Sequence, residues 1–403
     1  MSKTVIVAAG VLALAVLSAL CVYMHWVPAA ANEVAATARH APNSRHLPLK
    51  ISIASVAAIM TKPGPLNLIT DVDGITVGNA EDAAALTGTT VLLTGGRAIG
   101  GVDVRGGAPG SRETESLRPE GLGTGVDAIT LSGGSVYGLD AASGALAWCA
   151  ANGRGFRLPQ SPIVLPIVPG AILFDIANGG DKNWGREAPY RRLGERACEK
   201  AGKHFALGNA GAGLGAVAGA YKGGLGSASA VTSDGFIVGA LAAVNAFGSP
   251  VMPGTSTLWA WALEQNGEFG HQRPPQPRQL SLDYPDDIKR PPEPAANTTI
   301  AIVATDIALT PSQARRVAVM AHDGFARSLC PVHTPVDGDI VFAISTGAKP
   351  LPEPWQINLG RIGTIAADCV ARAVARGVFE AEPLGRFTSY RQIHAAGFTT
   401  RGT

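Results

Sequence analysis

Seven prolines fall between Gly270 and Asn297, and neither an α-helix nor a central β-strand can run through such a stretch, because each proline fixes φ and removes a backbone donor. The polar residues among them predict a flexible surface excursion over 270–297. Directly behind it stands NTTIAIVATD, an apolar, β-branched run that predicts a buried strand. A hydroxyl side chain, Thr298, therefore occupies the first position of a strand that follows a segment without regular structure.

The rest of the chain alternates strand and helix signals, starting near residue 64 with GPLNLITDVDGITVG. DAITLSGG predicts a strand ending in a glycine turn, and Val136 to Asn152 has the Ala-rich, Leu-spaced character of a helix. SPIVLPIVPGAILFDI is apolar but broken by prolines, which suits extended pieces near a sheet edge. Thr310, Pro311 and Gln313 form a capping box for a helix predicted to reach about Leu329. PVHTPVDGD then turns into the strand DIVFAIST, and a further helix is predicted from about Asn358 to Gly377. Fifty glycines against 11 Phe, 6 Trp and 6 Tyr favour tight turns and a sheet-rich α/β or α+β design over a helical bundle.

The N-terminus predicts an address. Lys3 precedes an apolar run from Thr4 to about Tyr23, and Ala29, Ala30 and Ala31 supply small residues for cleavage, so residues 1–31 are expected to be a signal peptide. About 20 apolar residues also suffice to span a bilayer, which leaves an uncleaved membrane anchor through residues 4–23 open. Either alternative places the domain in the periplasm or outside the cell, behind a polar, Ala-rich linker at 32–63. Cys21 follows Leu20 where a lipobox needs a small residue, and Cys149, Cys198, Cys330 and Cys369 have no CxxC spacing for a metal. An oxidising compartment permits disulfides among these four, without fixing whether any forms. A net charge of +2 with no long run of one sign offers no electrostatic grip on nucleic acid, so the expected partner is a small molecule.

No histidine pair forms HExxH and no serine stands in GxSxG. Gly211 to Ala216, GAGLGA, loosely fits a dinucleotide fingerprint but lacks the preceding strand, and predicts a tight turn instead. Thr298 fits an N-terminal nucleophile. Its oxygen would attack the Asn297 carbonyl, and hydrolysis of the resulting ester would free an α-amine with a reference pKa of about 7.7 to 8.0. That amine serves as base for the neighbouring hydroxyl. On spacing alone, a plain β-branched strand start explains the same residues.

Ten blocks in order narrow the choice: DVDGITVG, TGTTVLL, GVDVRGGAPGSRET, DAITLSGGSVYGLDAASG, VPGAILFD, GNAGAG, KGGLGSAS, GALAAVNAFG, NTTIAIVATD and PVHTPVDGD. Over residues 64 to 380 the chain resembles the L-aminopeptidase/D-esterase family, with its β-peptidyl aminopeptidases and nylon-oligomer hydrolases. The resemblance implies an α+β fold, a four-layer αββα sandwich like that of N-terminal nucleophile hydrolases but connected differently. It also implies self-processing into an α chain (64–297) and a β chain (298–403) that stay together and form homo-oligomers. No cofactor or metal is expected.

By the same resemblance Thr298 is the nucleophile, where other members use serine, and Asn297 is its scissile neighbour. Asn245 matches the amide that stabilises the oxyanion, an effect worth about 3 to 4 kcal/mol; read by itself it is a turn residue before Phe247 and Gly248. Asp337 and Asp339 match the pair that orients the nucleophile and its amine, while their bare spacing also suits turn chemistry. Lys222 is the cation expected to depress the amine pKa, or else a solvated lysine beside a glycine turn. Phe174 falls where some relatives carry an active-site tyrosine, and His333 is expected to be structural. The activity implied is hydrolysis of amide bonds in short peptides or related amides. An acyltransferase using the same nucleophile, and a non-catalytic periplasmic binding protein with the same fold, are the alternatives.

Overall fold

The computed structural model describes residues 61–122, 125–275, 283–289 and 297–395. The expected signal or anchor, the 32–63 linker up to residue 60, and residues 276–282 and 290–296 of the proline-rich segment lie outside the described residues. In chain order the elements that build the fold are strands β1 (Ile75–Asp82), β2 (Thr87–Val104), β3 (Ser111–Arg112) and β4 (Val126–Ser132), helix α1 (Ala141–Ala151), strand β5 (Gly170–Ile172) and helix α2 (Tyr190–Glu199). There follow strands β6 (Gly224–Val231), β7 (Ile237–Asn245) and β8 (Thr298–Ile307), helices α3 (Pro311–Ala321) and α4 (Asp323–Ala326), strand β9 (Ile340–Lys349) and helix α5 (Trp355–Phe379).

Hydrogen bonding runs in the order β6-β7-β8-β9-β2-β4-β5-β3, with β1 also on β2. The β8–β9 and β4–β5 pairs are parallel and the others antiparallel. β2 belongs to two sheets. Its first half pairs with β1 and β4, its last residues, Ile99 to Val104, pair with β9, and the register breaks between Leu93 and Ala98. A glycine pair in this break, Gly95 and Gly96, lets the strand change direction and carry the chain from one sheet to the other.

Side-chain parity then sorts the core into three layers of packing. On β8, Ile300 and Ile302 meet Ile75, Val77, Leu92, Ile129 and Leu131 of the opposite sheet. The alternate residues Ala301 and Val303 face Val317 of α3 and Ile362 and Val370 of α5. Ala80, Val91 and Ala128 on the far sheet pack against α1 and α2 through Ala145, Leu193 and Ala197. Helices, two sheets and helices thus form the four-layer αββα sandwich expected from the resemblance. Every residue of β8 is buried, which explains why its sequence is a continuous apolar run instead of an alternation.

The capping box at Thr310 is present, with Thr310 Oγ1 accepting from Gln313 N and the Gln313 side chain returning to Thr310 N. The helix it starts ends at Ala321 instead of running to Leu329. The chain re-aims at His322 and continues as α4, where a Cβ on Gly324 would lie 2.3 Å from the Ala367 carbonyl of α5, so the backbones meet directly. Similarly, the helix expected from Val136 is a 3-10 turn over Ser135–Asp140 followed by α1. The four cysteines Cys149, Cys198, Cys330 and Cys369 are free thiols.

α5 lies directly on β6, and a Cβ on Gly226 would stand 1.9 Å from the Ala373 carbonyl. Gly226→Ala is therefore expected to destabilise the fold by about 1–3 kcal/mol through overpacking. A lower urea midpoint with an unchanged slope is the measurement that checks it.

Candidate functional site

The antiparallel register of β7 and β8 sets Asn245 opposite Thr298, so two of the expected site residues face each other because of strand pairing alone. One residue earlier, Asn297 forms a parallel bridge with Asp337, and the Gly338 N–H donates to the Asn297 carbonyl at 2.9 Å. The Thr298 hydroxyl donates to the same carbonyl. The peptide group ahead of Thr298 is thereby held by a backbone donor while the hydroxyl lies against it. Both residues are buried, Thr298 at 2% exposure and Asn297 at 0%. The Asn297 side-chain oxygen and nitrogen have no hydrogen-bond partner among the described residues, an arrangement that costs about 1–3 kcal/mol per buried polar group. Gly338 is needed here for close approach, since a Cβ would sit 2.7 Å from Thr298 Oγ1 and 2.8 Å from the Ala108 carbonyl.

The two aspartates lie at the foot of β9 and point to different donors. Asp339 Oδ1 accepts the Thr299 N–H at 2.7 Å, and its Oδ2 meets His333 Nδ1 at 2.8 Å and His333 N at 3.1 Å. Asp337 accepts from Thr334 Oγ1 at 2.6 Å, Thr334 N at 3.0 Å and Phe247 N at 3.3 Å. Burial pushes the Asp337 carboxyl above the usual range, the neighbouring Asp339 charge adds to this, and the Thr334 and Phe247 donors oppose it. His333 thus has a specific partner in Asp339. Its ring also packs edge-on to His322, which burial takes down to about 4.

Asn245 is oriented from several sides. Its Oδ1 accepts from Val217 N at 3.0 Å and Lys289 Nζ at 3.2 Å, and its Nδ2 donates to the Phe174 carbonyl at 3.1 Å. Position 174 therefore reaches the site through its backbone, and no tyrosine hydroxyl is required for that contact. Lys222, just ahead of β6, is fully buried, with Nζ donating to the Gly213 and Gly223 carbonyls at 2.9 and 2.7 Å. Burial lowers its ammonium to about 7, with the Asp175 carboxylate opposing. The solvated alternative for Lys222 does not hold, because the residue has no exposed surface. GAGLGA is a 3-10 turn at Gly211–Gly213 that follows α2 and a loop, as the turn reading requires.

Lys289 was not singled out by the sequence. It belongs to the proline-rich segment read as a surface excursion, yet residues 283–289 are tied to the Asn245–Ser249 turn. The available signal was the pair of apolar residues Tyr284 and Ile288 in an otherwise polar stretch. Gly338 contributes a backbone N–H, a group no side-chain motif reports.

The model of peptidase family S58 matches residues 67–391. An uncharacterized aminopeptidase of Mycobacterium tuberculosis is 42% identical over 350 residues, covering 83% of this chain and 99% of the relative. A 6-aminohexanoate-oligomer endohydrolase of Kocuria sp. is 28% identical over 326 residues, covering 75% of this chain and 84% of the relative. Among solved structures, the L-aminopeptidase D-Ala-esterase/amidase of Ochrobactrum anthropi, a variant of the Ntn hydrolase fold, superposes with a TM-score of 0.60 at 20% identity. That match covers 83% of this chain and 94% of the other, and it is a likeness of fold.

The buried Lys222 gives a prediction for stability. Native Lys222 releases its proton near pH 7, whereas an unfolded lysine keeps it to about pH 10.4. Between these values the unfolded chain binds more protons, so stability rises with pH. The stability of wild type relative to Lys222→Met is expected to improve from pH 7 to pH 9, measured by urea unfolding at each pH.

Proposed function

The chain belongs to peptidase family S58 and is a peptidase-type hydrolase, and on that premise we propose that it cuts its own Asn297–Thr298 bond and then hydrolyses amides with Thr298. The observation that carries this reading is the seat of the Asn297 carbonyl, which takes the Gly338 N–H from one partner and the Thr298 hydroxyl from another.

In the first reaction Thr298 Oγ1 adds to the Asn297 carbonyl carbon, and the Gly338 N–H supports the charge that develops on the oxygen. The C–N bond breaks, the nitrogen takes the hydroxyl proton, and Asn297 is left as an ester on Thr298. Water cleaves that ester to give an Asn297 carboxylate and a free Thr298 amine. Scission also lets the Asn297 amide, which has no hydrogen-bond partner among the described residues, leave its buried position, which favours the cut state. In turnover the Thr298 amine removes the hydroxyl proton, Thr298 Oγ1 attacks the substrate carbonyl, and Asn245 stabilises the oxyanion. The amine then protonates the departing nitrogen, and water releases the acyl group. Asp339 steadies the start of β8 through Thr299, Asp337 fixes the 245–247 turn through Phe247, and Lys222 contributes a cation whose charge is variable near neutral pH.

The substrates proposed are short peptides or related small amides, in keeping with the names of the aminopeptidase and oligomer-hydrolase relatives. The Lys3-led apolar segment and the alanines at 29–31 support export to the periplasm or beyond, with cell fractionation as the test. Assembly of processed units into a homo-oligomer is proposed on the family resemblance and is checked by analytical ultracentrifugation.

Intact mass under denaturing conditions should show two fragments for wild type, the smaller beginning at Thr298. Thr298→Ala should give one chain with no turnover; a variant that still splits there, or still turns over, would remove the nucleophile. Gly338→Ala should slow self-cleavage by roughly 100-fold, equivalent to about 2.7 kcal/mol in the barrier, because its Cβ displaces the Thr298 hydroxyl. A gel time course after synthesis measures it.

A further inference from the structure

We propose that Lys289 is a positioning residue of the mature enzyme, held against Asn245 by a strap, residues 283–289, that stays docked after the chain is cut. The inference rests on the proposed role of Asn245. It starts from two contacts: Lys289 Nζ donates to the Asn245 carbonyl at 3.3 Å and to Asn245 Oδ1 at 3.2 Å. An ammonium only donates, so it can engage the oxygen end of the side-chain amide and never the nitrogen end. Together with Val217 N on the same Oδ1, it fixes which way the amide faces and sets a positive charge beside the group assigned to the oxyanion.

The strap has anchors of its own. Asp287 Oδ2 accepts from Ser249 Oγ at 2.5 Å and from Tyr221 OH at 3.4 Å, and the Asp287 carbonyl accepts from Ala220 N at 2.9 Å. Lys289 N donates to the Phe247 carbonyl at 3.0 Å, the Tyr284 and Phe247 rings meet edge to face at 5.8 Å, and Ile288 is buried. Tyr221, Phe247 and Ser249 all precede residue 297, so none of these contacts crosses the proposed cut. Scission at Asn297 leaves the strap attached to its own fragment. The Asn297 carbonyl, in contrast, takes its backbone donor from Gly338, so self-cleavage does not need Lys289.

The test uses the full chain in four forms, wild type, Lys289→Met, Lys289→Arg and Asp287→Ala, with Thr298→Ala as the inactive control. Self-cleavage is followed by intact mass, and kcat and KM are measured on a panel of aminoacyl p-nitroanilides. Lys289→Met should be processed at the wild-type rate yet lose about 10-fold or more in kcat, with little change in KM. Lys289→Arg should recover most of that loss, and Asp287→Ala, which frees the strap, should fall in the same direction as Lys289→Met. Wild-type kcat in Lys289→Met, equal loss in the Met and Arg variants, or loss of processing together with turnover would overturn the proposal. Activity retained by Thr298→Ala would overturn the nucleophile reading itself, and is read separately from the lysine variants.

Discussion

The hydrogen bond from the Gly338 N–H to the Asn297 carbonyl joins the start of β8 to the turn that leads into β9. The β7–β8 register brings Asn245 to Thr298, and the Asn297–Asp337 bridge brings in the aspartates. Without this junction the hydroxyl of Thr298 would be one more β-branched side chain at the edge of a buried strand. With it, a single peptide group is held between a backbone donor and a hydroxyl.

Burial has a second consequence at this junction. Asp337, Asp339 and Lys222 are all nearly excluded from solvent, and each is kept there by several protein hydrogen bonds. Desolvation moves Asp337 up and Lys222 down, towards the neutral form of each. Ordinary surface carboxylates and lysines keep their charge over the whole physiological range. Lys222, lowered to about 7, instead changes charge near neutral pH in response to small changes in its neighbours, which is a condition proton-transfer chemistry requires.

Much of the fold was legible because its signals are local. The β-branched run after Asn297, the Thr310–Gln313 capping box and the proline-broken extended pieces before β5 all report their own conformation, through rotamer restriction, capping and the missing donor of proline. Helix ends were less legible. The chain leaves the helix at His322 because Gly324 must meet the backbone of α5, a partner some forty residues away that no local pattern records. For the candidate site, the ten ordered blocks pointed to Asn245, Thr298, Asp337 and Asp339, and the strand register explains how the first two come to face each other. The place of Lys289 is not legible in the sequence, since a lysine among prolines and charged residues has the composition of a solvated linker.

The sequence by itself determined the elements and their periodicity, the place of a hydroxyl at the head of a buried strand, and the family to which the chain belongs, because these depend on residue types within a few positions of one another or on blocks in a fixed order. Only the tertiary structure decided that Lys222 is buried, that Asp339 is held by Thr299, that the Asn297 carbonyl is held by Gly338, and that Lys289 reaches Asn245. These facts turn on backbone groups and on residues 40 or more apart in the chain, or on burial that arises when two sheets and their helices close together. Such relations are created by packing and have no spacing of their own to read.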